Sequence, residues 1–246
     1  MNLKDKVILI TGGARMGETL GRAFGARGAM ILLSYRASRA SAQASVDALT
    51  KNGIHADSVR CDFSKPADIE ALAKDIQAKF GRLDVVLHMA SIYESHDLFA
   101  GDTLTAWQAN MDAHVNSAFA LARALTPLLR RDKQGRFIFM VDWTVDSGRP
   151  RYKGFTPYYV SKAALQGFVQ ALALEVAPDV LVNAIAPGPI LPPPGMSEEE
   201  RRAVEDATPL KRWGGPEEIA KAALFLAETD FVTGETIRVD GGRHLY

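Results

Sequence analysis

One cysteine, Cys61, is the only thiol in this sequence. It excludes an intrachain disulfide framework and fits a reducing, cytoplasmic setting. A surplus of either charge is also missing. The 29 Lys and Arg residues balance 29 Asp and Glu residues, so net charge gives no reason to expect nucleic acid or an anionic membrane as partner. No apolar run nears the ~20 residues of a transmembrane helix. Met1 to Lys6 is short and polar, which reads as no signal peptide. His55, His88, His96, His114 and His244 lack metal-ligand spacing, so no metal is expected. What remains is ordinary globular material, 47% hydrophobic and 24% charged, and 246 residues suffice for one α/β domain with a substantial core.

Short apolar runs alternate with longer amphipathic ones. The candidate strands are Val7–Ile10, Met30–Leu33, His55–Arg60, Val85–Leu87, Phe137–Val141, Val180–Ile185 and Thr236–Val239. Helical patterns cover roughly 17–27, 38–51, 66–80, 104–130, 158–176 and 216–228. Pro66 and Pro216 mark first helical turns, and Gly28, Gly53 and Gly81 mark stops. Near-continuous apolar strands mean a sheet covered on both faces. The alternation predicts a single Rossmann-like, doubly wound parallel sheet of about seven strands. Pro187 to Met196 reads as a loop beside a ligand site, leading into a short lid helix over Ser197–Asp206 (substrate loop and lid together about 187–210); a stiff surface loop is the competing reading.

The first strand ends in Thr11-Gly12-Gly13-Ala14-Arg15-Met16-Gly17, directly before a helix. Glycine allows a tight turn and close approach to a pyrophosphate, and a helix N-terminus supplies N–H donors. A plain turn is the alternative. The second strand ends in Ser34-Tyr35-Arg36, where an NAD site wants a carboxylate for the ribose hydroxyls. A guanidinium and a hydroxyl suit a 2′-phosphate instead, and Arg15 could reach the same group, so the cofactor is expected to be NADP(H). Otherwise Arg15 and Arg36 are solvated charges. Asp62, beside Phe63, could accept from an adenine amino group or cap a helix.

Tyr158 and Lys162 are spaced i, i+4 at a helix start and share one face. An ammonium beside a phenol lowers its pKa toward general-acid work near neutral pH. Taken with Thr11-Gly12…Gly17, Asp62, Ala90-Ser91, Asn116, Asn183…Pro187-Gly188 and Asp240-Gly241-Gly242, this motif resembles the short-chain dehydrogenase/reductase family over nearly the whole chain. The resemblance implies a nicotinamide cofactor and a homotetramer or homodimer that takes a small-molecule substrate. It makes Tyr158 the proton donor and Lys162 the ribose ligand. Asn116 would hold the water of a proton relay, and Pro187, Gly188 and Ile190 would line the nicotinamide pocket.

Departures from the family pattern shape the expected chemistry. The glycine loop is one residue short, and Met89 stands where an amide is usual. Asp142 occupies the position of a catalytic serine, and Tyr93 follows Ala90-Ser91. A developing alkoxide needs donors, so a carboxylate there disfavours C=O reduction and suits a substrate with a protonated nitrogen. These features, with Asp240-Gly241-Gly242-Arg243-His244-Leu245, resemble the pteridine reductase and dihydromonapterin reductase branch. That branch implies an Asp–Tyr–Lys set, Tyr93 stacking on a pterin, and Ser91 bonding the pterin or a cofactor phosphate. Trp143, Phe155 and Tyr152 would extend the apolar wall or simply pack an inserted loop. The leading expectation is NADPH-dependent reduction of a C=N bond. The alternatives are ketone or 3-oxoacyl reduction on the same fold, and a catalytically silent NADP(H) sensor.

Overall fold

The computed structural model describes residues 1–12 and 15–245; Gly13 and Ala14 of the glycine loop, and Tyr246, lie outside the described residues. The strands are β1 (Val7–Thr11), β2 (Met30–Tyr35), β3 (Ala56–Arg60), β4 (Val85–His88), β5 (Gly135–Met140), β6 (Val180–Pro187) and β7 (Thr236–Val239). They form one sheet in the order β3-β2-β1-β4-β5-β6-β7, and every neighbouring pair is parallel. Parallel neighbours need crossover connections, which helices supply. These are α1 (Gly17–Gly25), α2 (Arg39–Lys51), α3 (Pro66–Phe80), α4 (Thr103–Met111), α5 (Ser117–Leu129), α6 (Trp143–Asp146), α7 (Thr156–Val176), α8 (Glu198–Asp206) and α9 (Pro216–Glu228).

Side chains alternate across the sheet and build two cores. Val7 and Leu9 join Ile69 and Leu72 of α3, Leu121 and Leu125 of α5, and Leu165 and Val169 of α7. Ile8 and Ile10 join Leu20 and Phe24 of α1, Leu49 of α2, and Ala223 and Leu226 of α9. Each such buried aliphatic or aromatic side chain contributes roughly 1.5–3 kcal/mol, so both helical layers are needed to hold the sheet. Met89 joins the second core at 6% exposure, which accounts for an apolar residue in place of an amide.

Local signals fix several ends. Pro66 opens α3, and Gly81 closes it in the left-handed region at φ 62°. Ser197 and Glu200 form a reciprocal capping box that starts α8. Three expectations are corrected. The helix expected over 104–130 is interrupted by a π-helical turn, Asp112–Asn116, between α4 and α5. Helix α1 stops at Gly25, and Gly28 instead turns the chain at φ 81° before β2. Helix α6 was not expected, because its signal is an Asp142 cap inside a loop with no apolar period.

The chain runs from β1 outward through β2 and β3, then crosses back to β4 on the other side of β1. Ligand crevices form beyond the C-terminal strand ends at such a reversal. The candidate residues gather there.

Candidate active site and cofactor cleft

A cleft of about 330 Å³ opens beyond β1, β2 and β4. Gly12, Ser34, Tyr35, Arg36, Asp62, Phe63, Ala90 and Ser91 all line it, so these eight expected cofactor ligands come together. Gly12 has φ 66°, and a Cβ there would lie 2.5 Å from the backbone of Ala90. Only glycine lets the turns after β1 and β4 close to that distance. Asp62 Oδ1 accepts from the Ser64 N–H and hydroxyl, and these bonds hold its carboxyl below the usual range. Cys61 also lines the cleft, but burial foremost pushes its thiol up to about 12, leaving it unreactive.

Ser38, Ser41 and Ser45 of the α2 region line the same wall and were missed. Ser38 caps α2, its Oγ accepting from the Ser41 N–H, and the signal was the serine two places beyond Arg36. The Ser34 hydroxyl is buried and finds no protein partner among the described residues. An orphaned hydroxyl beside an exposed guanidinium, under a cradle that a Cβ would fill, fits a phosphorylated nucleotide cofactor.

Other expected ligands lie elsewhere. The Arg15 guanidinium donates to the Pro192 carbonyl at 2.6 Å and does not line the cleft. It therefore ties the start of α1 to the proline loop, in place of the expected phosphate contact. Met16 packs against the second core, and Gly17 begins α1. Pro187 ends β6, and Gly188 is pressed against Asp240, with a Cβ position 2.5 Å from the Asp240 side chain. Ile190 is 7% exposed and lines a separate cavity of about 450 Å³ with Pro189 and Leu210.

The chemical groups lie beyond β5. Asp142 caps α6: its Oδ1 accepts from the Thr144 N–H at 2.8 Å and the Thr144 hydroxyl at 2.5 Å. Its Oδ2 accepts from the Tyr158 phenol at 2.9 Å. The Ser147 hydroxyl, at the end of α6, donates to the Thr144 carbonyl at 3.0 Å. Lys162 is 2% exposed, and its ammonium donates to the Met140 carbonyl at 2.8 Å. Burial pushes its pKa down to about 8, against an opposing pull from Asp142. The Lys162 Nζ lies 5.8 Å from the centre of the Tyr158 ring.

The phenol itself departs from expectation. Burial first, then the charge and hydrogen bond of Asp142, hold Tyr158 well above 10. The lowering expected from Lys162 is overridden because the ammonium is bonded to Met140, while a carboxylate is bonded to the phenol. Tyr158 is thus kept protonated across the neutral range, the state a proton donor needs.

Beside it a slot of about 210 Å³ is lined by Tyr93, Asp142, Tyr152, Phe155 and Tyr158, as expected, and also by Thr144, Arg151 and Tyr159. Tyr93 stacks on Phe155 at 4.6 Å and meets Tyr158 edge-on at 4.9 Å. Trp143 is a correction. It is 5% exposed, lies outside the slot lining, and supports Arg151 and Arg243 over its ring at 5.6 and 6.0 Å. It packs the inserted loop rather than walling the substrate.

Asn116 is the larger correction. Its side chain is exposed and donates to Asp112 at 2.6 Å, whereas the buried Lys162 ammonium donates to the Met140 carbonyl. His114, two residues earlier in the π turn, faces inward instead. Its imidazole is fully buried, bonded to Ser91 and Ser161, and edge-on to Tyr158 at 5.5 Å. The signal was helical spacing, since His114, Ser117 and Leu121 share one buried face from which Asn116 is rotated away. His88 is likewise buried between the Thr11 and Ser117 hydroxyls.

Against known proteins, a family model described as enoyl-(acyl carrier protein) reductase matches residues 13–244. An uncharacterized oxidoreductase of Mycobacterium tuberculosis is 36% identical, over 98% of this chain and 92% of its own length. The 3-oxoacyl-[acyl-carrier-protein] reductase of Escherichia coli is 32% identical over the full length of both. The NADPH-dependent 3-quinuclidinone reductase of Rhodotorula rubra superposes with a TM-score of 0.90 at 25% identity, covering 100% of this chain and 93% of that one. The substrates in the last two names are ketones. With one parallel sheet, a cleft at its reversal and a Tyr–Lys pair beyond β5, the chain belongs to the short-chain dehydrogenase/reductase family of oxidoreductases.

Proposed function

We propose that this chain is an NADP(H)-dependent reductase that adds hydride and a proton across a polarised double bond. The observation that carries this is the Tyr158 phenol, which lines the slot and donates to Asp142, with Lys162 buried beside its ring. Arg36 and the orphaned Ser34 hydroxyl would hold the 2′-phosphate, and Asp62 the adenine side. Bound NADPH supplies the hydride. Tyr158 gives its proton to the substrate atom that gains charge, and Lys162 then offsets the phenolate left next to Asp142.

A carbonyl substrate is the reading that the named relatives support, and 3-oxoacyl thioesters lead that class. A second reading rests on Asp142. Its Oδ2 accepts a hydrogen bond from the phenol where the family pattern would have a serine donor, so a ketone oxygen finds one donor fewer. A flat heterocycle with a protonated C=N nitrogen would turn that carboxylate into an asset, as the resemblance to the pteridine and dihydromonapterin reductase branch suggests. The aromatic slot would accept such a ring beside Tyr93. Exposed Phe119 and Trp107 on α5 and α4 support a homo-oligomer, with the tetramer or dimer of the resemblance as candidate states. No helix among the described residues is long and apolar enough to cross a membrane.

The test is NADPH oxidation with acetoacetyl-coenzyme A and 3-quinuclidinone in one series, and dihydrobiopterin with a cyclic imine in the other. Tyr158→Phe should lower turnover roughly 10²–10⁴-fold while NADPH still binds. Asp142→Ser separates the readings, raising or sparing ketone turnover in one case and abolishing C=N turnover in the other. No wild-type turnover in either series would overturn the proposal.

A further inference from the structure

Ser91 and Ile92 line the cofactor cleft on the loop after β4, whereas Tyr158 and Ser161 belong to the first turns of α7. One side chain, His114, spans the two. The backbone N–H of Ile92 points at His114 Nε2 at 3.3 Å, and an N–H can only donate. Nε2 is therefore an acceptor, and the proton of a neutral imidazole resides on Nδ1. The Ser91 hydroxyl then donates to Nε2 at 2.8 Å, a closer acceptor than the Ile92 carbonyl at 3.3 Å. Nδ1 donates to Ser161 Oγ at 2.8 Å, and Ser161 donates onward to the Tyr158 carbonyl at 2.8 Å. The chain of donors runs in one direction, from the cleft to the backbone of the proton donor.

We propose that His114 is a positioning residue that links occupancy of the cofactor cleft to the placement of Tyr158, acting as a neutral imidazole with its proton fixed on Nδ1. This rests on the reductase reading above and extends it to a residue outside the Asp142, Tyr158 and Lys162 set. The π turn supports it independently. One extra residue in the helical turn brings His114 into the interior, and such turns recur at functional sites. The imidazole also meets the Tyr158 ring edge-on at 5.5 Å, so it limits the ring from the side as well as through the backbone. Burial foremost, with the Lys162 charge second, pushes its pKa down to about 2, which keeps Nε2 free to accept.

Ser161 makes the decisive variant, because it is fully buried and does not line the cleft. Its hydroxyl bonds only His114 Nδ1 and the Tyr158 carbonyl among the described residues, so the His114→Leu background isolates the part that runs through the imidazole. Ser161→Ala should weaken NADPH binding about three- to tenfold in a fluorescence titration and lower kcat by a similar factor, in a chain that still unfolds in one cooperative step but at a lower urea midpoint, because the buried His114 Nδ1–H loses its acceptor. His114→Asn, which keeps one donor and one acceptor, should recover part of what His114→Leu loses. In the His114→Leu background, Ser161→Ala should have no further effect on NADPH binding. If Ser161→Ala leaves NADPH affinity and kcat within twofold, the link does not exist. If NADPH affinity shifts as expected while the wild type turns over neither substrate series, the link stands and the reductase reading falls.

Discussion

Lys162 should make the protein less stable than it would be without it, and replacing it with methionine should reveal this. The ammonium is 2% exposed, and burial lowers its pKa from 10.5 to about 8. The unfolded chain therefore binds the Lys162 proton more readily than the folded one between those values. Wild-type stability rises with pH across that window, and below pH 8 the full penalty is present. A shift of about 2.5 units corresponds to ~3 kcal/mol. Lys162→Met removes this penalty and also removes the bond to the Met140 carbonyl, worth ~1–2 kcal/mol. At pH 7 the variant should be more stable by ~2 kcal/mol, or ~4–8 °C in Tm. Above pH 10.5 the order should reverse, with the variant less stable by ~1–2 kcal/mol. Urea unfolding of both chains at pH 7, 9 and 10.5 measures the swing of ~3 kcal/mol, which does not depend on how well methionine packs. A stability difference that stays constant over this range would refute the reasoning. Turnover should be lost at every pH, so the same ammonium that weakens the fold serves the chemistry.

Two further outcomes concern the cofactor cleft and the π turn. Arg36→Glu should reverse the choice between NADPH and NADH, lowering kcat/KM for NADPH by ~10–100-fold through loss of a charge-assisted contact, and an unchanged ratio would place the 2′-phosphate elsewhere. Asn116→Ala should leave kcat within about twofold, because its amide reaches only Asp112 at the surface; a drop of tenfold or more would restore the relay that the sequence suggested.

The parallel sheet was legible in the sequence because two-faced burial leaves strands such as Val7–Ile10 and Val180–Ile185 almost wholly apolar. The cleft was legible for a related reason. Gly12, Arg36 and Asp62 each follow a strand end, so chain position alone brings them to one edge. The chemical end was only partly legible. Asp142 and Tyr158 were paired by the family resemblance, but the Lys162 contact with Met140 depends on which carbonyl lies within reach after folding. Asn116 was read from the family resemblance, whereas the helical spacing of His114, Ser117 and Leu121 along one buried face is the mark that turns His114 inward. Trp143 was left between the substrate wall and packing of the loop, because hydropathy does not encode the two guanidiniums that cover its indole.

The two buried histidines also set a limit on the conditions the whole chain can tolerate. Burial holds His88 down to about 3 and His114 down to about 2, so both stay neutral in the folded state while unfolded histidine protonates near 6.5. Acidification therefore draws the chain toward its open form. By pH 5 the two imidazoles together cost ~4 kcal/mol of folding free energy, a large part of the 5–15 kcal/mol typical of a domain. These two buried imidazoles would thus be among the first causes of collapse in mild acid, and the lower end of the working pH range would be a property of the fold as much as of the chemistry.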